Sequence, residues 1–87
     1  MAEYRLLIKA SAKKEIEAVS PKAVRQRIIE RIQALAKDPR AHGSEKLAGS
    51  AYRYRMRQGN YRIIYLIDDG RRAVTIFKVG DRKDVYR

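Results

Sequence analysis

Cysteine is absent from this 87-residue chain, which excludes a disulfide framework and a thiolate zinc site. Histidine occurs once, as His42 beside Gly43. No H-x-x-x-H motif can exist, no Ser-His-Asp or Cys-His set can be assembled, and His42 is read as a solvent-facing loop residue. Gly80 lacks the surrounding G-x-G-x-x-G of a dinucleotide site. Neither a metal nor an organic cofactor is expected. Long apolar runs are missing too: none approaches the roughly 20 residues of a membrane span. The opening MAEYRLLIKAS has no long apolar stretch or small-residue cleavage site. The chain is read as a cytoplasmic protein with no membrane partner.

Negative charge is the scarcest commodity relative to its opposite. There are 10 acids against 21 lysines and arginines, a formal net charge of +11. Residues 1–43 hold 10 basic and 5 acidic side chains, and residues 44–87 hold 11 and 5, so the charge is spread through the body of the chain. A hydrophobic fraction of 45% argues that this body folds. Excess charge of this size calls for an anionic partner: nucleic acid, a membrane surface or an acidic protein. A chain this short buries only about 60–65% of its unfolded surface, enough for one compact core, so residues 1–87 are read as a single domain.

The apolar periodicity predicts an order β-α-α-β-β-β. Residues 3–9 are apolar-rich and read as a strand. Ser11 is a candidate cap for a short helix, AKKEIEAV, with Ile16 and Val19 on one face. Glu15 and Glu17 on that helix are read as members of surface ion pairs. Ser20-Pro21 predicts the start of a second helix running to about Lys37, with Val24, Ile28, Ile29, Ile32, Leu35 and Ala36 along one stripe. Arg25, Arg27, Glu30 and Arg31 fall on its other face. Asp38-Pro39 ends it, because the residue before proline is pushed out of the α region. The stretch RAHGSEKLAGSA is a loop with a short extended piece near Lys46-Leu47. Three β-prone runs follow, over 52–58, 61–67 and 73–79, with a further short strand at 84–86. Asp68-Asp69-Gly70 is read as turn chemistry. The fold class is α+β: a small, mainly antiparallel sheet with a two-helix hairpin on one face.

Residues 52–65, YRYRMRQGNYRIIY, hold the strongest pattern. Gly59-Asn60 suits a two-residue hairpin loop. Its register sets Arg57 opposite Arg62, Arg55 opposite Ile64 and Arg53 opposite Leu66. Side chains alternate with period 2, so these six share one face, and Tyr52, Tyr54, Met56, Ile63, Tyr65 and Ile67 share the other. Like charges directly across a hairpin destabilise it, so Arg57–Arg62 needs a reason. One reading is a solvated face whose arginine stems cover Ile64 and Leu66. The other is a phosphate-binding surface, since guanidinium forks match phosphate oxygens in a bidentate way. The absence of acids between Lys46 and Ile67 favours the second. Near the C-terminus, Tyr86 either stacks on a base or anchors the terminus.

These motifs together resemble the RelE toxins of type II toxin–antitoxin pairs, within the RelE/ParE superfamily. The resemblance covers essentially the whole chain: Lys46-Leu47-Ala48-Gly49, then Y-R-Y-R-M-R, G-N-Y-R-I-I-Y and the closing V-G-D-R-K-D-V-Y-R. It implies a metal-independent endoribonuclease that cuts mRNA in the ribosomal A site, in contact with 16S rRNA, and is neutralised by a RelB-like antitoxin with an acidic segment. The implied catalytic residues are Arg53 and Arg55 near the ribose 2′-hydroxyl, Arg62 at the scissile phosphate, Arg82 at the leaving 5′-oxygen and Tyr86 on a base. Arg57, Lys46, Lys83 and Arg87 would bind RNA. Some members of the family have lysine at the first two positions. Arginine stays protonated, so Arg53 and Arg55 would act by charge stabilisation rather than as bases. Asp81 stands where relatives often carry histidine or a basic residue, and would pair with Arg82. A ParE-like inhibitor of DNA gyrase, or a non-catalytic RNA-binding remnant, are the alternatives.

Overall fold

A computed structural model describes residues 3–49 and 52–81. Its elements are β1 (Arg5–Ile8), α1 (Ala10–Glu17), α2 (Lys22–Ala34), β2 (Ser44–Lys46), β3 (Arg53–Gln58), β4 (Tyr61–Asp68) and β5 (Ala73–Asp81). The α+β class holds, with one five-stranded sheet in the order β1-β5-β4-β3-β2. It is mixed rather than wholly antiparallel. β1 runs parallel to β5, because the two-helix connection carries the chain back to the same end of the sheet before the hairpins begin. The extended piece expected near Lys46-Leu47 is β2, an added edge strand paired with β3. The short strand expected at 84–86 lies outside the described residues.

Both helix starts differ from expectation. Lys9 donates its N–H to Ile76 as the last rung beside β5, while its own carbonyl accepts from Lys13 as the first turn of α1. The strand therefore passes straight into the helix at Ala10, and Ser11 lies inside the first turn instead of capping it. In α2 it is Pro21, in extended conformation, that takes the N-cap position, its carbonyl accepting from Val24 and Arg25. The helix ends at Ala34, and residues 35–37 continue as a tighter turn with i→i−3 bonds.

Both helices cover one sheet face. Ala12 and Ile16 of α1, Val19, and Ile28, Ile32 and Leu35 meet Met56, Ile63, Tyr65, Ile67, Val74, Ile76 and Val79 in one apolar cluster. Each fully buried side chain of this kind contributes about 1.5–3 kcal/mol. Tyr65 is fully buried, stacks on Tyr54 at 5.9 Å and donates its hydroxyl to the Pro39 carbonyl at 2.8 Å. Burial raises its phenolic pKa, so it stays a donor. Tyr52, placed by alternation on this face, is 66% exposed. It precedes β3, and although its carbonyl still accepts from Ile67, its side chain lies outside the apolar cluster.

Glu15 does more than form a surface pair. β1 ends opposite Ile76, which leaves the outer edge of β5 without a strand. The Glu15 carboxylate accepts the Val79 N–H at 2.9 Å and lies 3.6 Å from Lys78 Nζ, so a helix side chain satisfies the open edge. At the opposite end, Asp68 forms the expected turn by accepting from the Arg71 N–H, whereas Asp69 reaches away from it. Arg40 grips Asp69 through two bonds of 3.1 and 2.8 Å, Tyr4 donates to the same carboxylate, and Arg40 Nε donates to the Tyr54 hydroxyl at 3.2 Å. This clasp ties the α2–β2 connection to the β4–β5 turn. The Arg40 and Tyr4 bonds lower the Asp69 pKa to about 2. A depressed carboxylate stabilises the fold above its unfolded pKa of about 3.9 and loses that contribution as pH falls toward 2. Urea midpoints measured from pH 5 to pH 2 should therefore fall more steeply in the parent chain than in Asp69→Asn.

Candidate functional site

Gly59 has φ +61° and Asn60 an ordinary negative φ, the pattern of a type II′ hairpin turn. Gln58 then faces Tyr61, and the pairs Arg57↔Arg62, Arg55↔Ile64 and Arg53↔Leu66 form as the sequence predicts. All four arginines stand on the sheet face away from the helices. The opposite-face partners Tyr54↔Tyr65 and Met56↔Ile63 pin that register, since a one-residue slip would turn Met56, Ile63 and Tyr65 out of the core.

The four do not share one environment. Arg53 and Arg57 are exposed, Arg55 is partly covered, and Arg62 is only 4% exposed. Ile64, opposite Arg55, is 7% exposed, which agrees with arginine stems covering it. Arg62 is not part of a solvated face at all. Its cross-strand neighbours are Arg57 on β3 and Gly80 on β5, where no side chain crowds it.

The acid-free hairpin acquires an acid from elsewhere. Glu45 on β2 lies directly opposite Arg55, and its Oε2 is 3.0 Å from the Arg55 guanidinium. The only signal in the sequence was the short extended piece beside Lys46. Without the pairing of β2 to β3, nothing set Glu45 opposite an arginine. Glu45, Arg55, Arg57, Arg62 and Gly43 line a niche of about 20 Å³, room for roughly one water-sized group. A partly exposed pair like Glu45–Arg55 is worth only about 0.2–1 kcal/mol, so it can part and widen the niche for a larger anion such as a phosphate.

Arg31 was assigned to the solvent side of α2. Its Nη2 instead lies 3.4 Å from the Arg57 carbonyl, bracing the hairpin behind the niche, and its Nε is buried. Lys46, opposite Tyr54, falls on the helix side of the sheet, apart from the arginines. Asp81 is paired in register with Tyr61 and shares that side too. Arg82, Lys83, Tyr86 and Arg87, and hence the Asp81–Arg82 pairing, lie outside the described residues. A larger groove of about 650 Å³ sits at the other end of the sheet, beside Arg40, Tyr52 and Asp69. There Arg40 is held by its bidentate bonds to the Asp69 carboxylate.

Residues 6–86 match the family described as "ParE toxin of type II toxin-antitoxin system, parDE". The chain belongs to the RelE/ParE toxin superfamily. It is a toxin of the type II toxin–antitoxin class. It is 26% identical over 84 residues to toxin RelG of Mycobacterium tuberculosis, covering 97% of each chain. Among solved structures it resembles the RelE–RelB complex of the archaeon Pyrococcus horikoshii, with 29% identity, a TM-score of 0.82 and coverage of 94% and 98%. A free mutant of Escherichia coli toxin RelE superposes with a TM-score of 0.76 at 27% identity, covering 99% of this chain and 92% of that one. The matches thus include both ParE and RelE names.

Gly43 shapes the niche. It has φ +94°, and a Cβ there would sit 3.4 Å from Arg31 Nη2. Gly43→Ala should lower the unfolding free energy by about 1–2 kcal/mol, mostly from the left-handed backbone, as read by urea titration.

Proposed function

We propose that this toxin is a ribosome-dependent mRNA endonuclease, and that its reaction centre is the niche of Glu45, Arg55, Arg57 and Arg62. The observation that carries the reading is the position of Arg62. A guanidinium held at 4% exposure beside two further arginines is strongly predisposed to a multiply charged anion. Like charges directly opposed across a hairpin destabilise it, and a bound phosphate would offset that cost.

In this reading the ribose 2′-oxygen attacks the adjacent phosphorus and the bond to the 5′-oxygen breaks. The products are a 2′,3′-cyclic phosphate upstream and a 5′-hydroxyl downstream. Arginine cannot accept the 2′-hydroxyl proton, because it never deprotonates in this pH range. Glu45 is the carboxylate in the niche that can, and the leaving oxygen takes its proton from water. Arg55, Arg57 and Arg62 stabilise the extra negative charge of the phosphorane. By resemblance, Arg82 attends the leaving oxygen and Tyr86 stacks on a base, whereas Arg53, held over the Phe77 ring at 5.2 Å from its centroid, is assigned to a flanking nucleotide rather than to the 2′-oxygen. Lys46, Lys83 and Arg87 then bind flanking RNA or 16S rRNA. Lys46 does so from the other sheet face. The P. horikoshii relative was solved as a RelE–RelB complex, and we assign this chain a comparable antitoxin whose acidic segment neutralises the arginine face.

The test is expression of the toxin alone, with mRNA ends mapped on translating ribosomes. Cleavage within A-site codons is expected, and its absence with a folded protein defeats the reading. Arg62→Ala should reduce cleavage by about 10²–10³-fold. Because Arg62 is buried, Arg62→Lys is the companion variant, keeping the charge but losing the fork. Glu45→Gln should slow cleavage strongly while RNA binding stays equal or tightens, as Arg55 is released. Parental cleavage in that variant removes Glu45 from the chemistry. The family match to ParE favours a second reading, inhibition of DNA gyrase without nuclease chemistry. Loss of supercoiling activity on adding the purified toxin to gyrase, with mRNA intact, would select it.

A further inference from the structure

The register of β4 with β5 shifts by one residue between Ile64 and Tyr65. Ile64 faces Lys78 and Tyr65 faces Ile76, so Phe77 is the extra residue of a β-bulge. Ile76 and Val79 both enter the core, although they are three positions apart. The bulge absorbs the odd step and leaves Phe77 on the arginine face, half-buried, while Lys78 is drawn to Glu15 at the sheet edge.

Two cations from different segments of the chain converge on this one ring. Lys9 Nζ, from the junction of β1 and α1, is 4.1 Å from the Phe77 centroid, and the Arg53 guanidinium carbon, from β3, is 5.2 Å away. Leu7, on the same face opposite Thr75, is 46% exposed beside them. An aromatic ring with an apolar neighbour and two flanking cations has the composition of a single-stranded nucleic-acid subsite: a base stacks on the ring and phosphates meet the cations. This cluster is continuous with the niche through Arg55. Arg57 and Arg53 are four residues apart on one strand, about 13 Å at 3.3 Å per residue, which is farther than one phosphate reaches.

We propose that Phe77, Lys9, Arg53 and Leu7 form a second subsite for single-stranded RNA, holding a nucleotide next to the one whose phosphate occupies the niche. Phe77 fixes Arg53 by cation–π contact, and Lys9, on its flexible stem, gives up the ring to a base and turns to the neighbouring phosphate. The subsite rests on the RNA-cleaving reading and extends it: the toxin grips several nucleotides rather than one phosphate.

The experiment is fluorescence anisotropy with the purified full chain and two labelled 2′-O-methyl RNAs that cannot be cleaved, an octamer and a dinucleotide. Phe77→Leu should weaken octamer binding by about fivefold or more, Phe77→Tyr should restore it, and dinucleotide binding should stay unchanged. A purely structural role for Phe77 would move both RNAs together and refutes the subsite. So does parental octamer affinity in Phe77→Leu when Arg57→Ala weakens binding, an outcome that leaves the RNA reading intact. Absence of octamer binding by the parent chain overturns the subsite, whereas the RNA-cleaving reading falls only if A-site cleavage on ribosomes is absent. If Phe77→Leu does not fold, Lys9→Ala carries the same comparison, with the salt slope of octamer binding reduced by about 0.7.

Discussion

The pairing of β3 with β4 is the constraint on which the rest depends. A two-residue loop at Gly59-Asn60 sets Gln58 against Tyr61, and every later pair follows with period 2. That single register sends Tyr54, Met56, Ile63 and Tyr65 toward the helices and Arg53, Arg55, Arg57 and Arg62 away from them. Core and site are two sides of one hairpin. A slip that rescued the arginines from mutual repulsion would expose the core, and burial of several large side chains outweighs the repulsion of one like-charged pair.

Around this hairpin the other elements supply what it lacks. β2 brings Glu45, the negative charge absent from the acid-free run. α2 brings Arg31, which braces the Arg57 carbonyl from behind. β5 brings Gly80 beside Arg62 and, through its bulge, Phe77 beside Arg53. α1 closes the exposed edge of β5 with Glu15, so the sheet needs no further strand there. The Arg40–Asp69–Tyr4 clasp holds the end of the sheet opposite the niche. The positive face carries an ion pair of its own, Glu45–Arg55.

That face also bears on how such a toxin is controlled. Under the proposed function, a surface that attracts the phosphates of RNA also attracts carboxylates, so an acidic antitoxin segment would compete with RNA for the same guanidinium groups. The Glu45–Arg55 pair is a one-residue instance of that competition within the chain.

The local patterns were legible because they depend on neighbours in sequence. Alternation and a glycine turn determined the hairpin, its two faces and the shared side of four arginines. The helical stripe from Val24 to Leu35 determined which side of α2 meets the sheet. What the sequence did not reveal involves partners far apart along the chain. Glu45 meets Arg55 only because β2 pairs with β3, and Phe77 meets Lys9 only because β1 lies beside β5. Asp69 looked like turn chemistry until the fold brought Arg40 and Tyr4 to it. The burial of Arg62 is of the same kind: alternation gives a side chain its face, but only the assembled sheet decides whether water still reaches it.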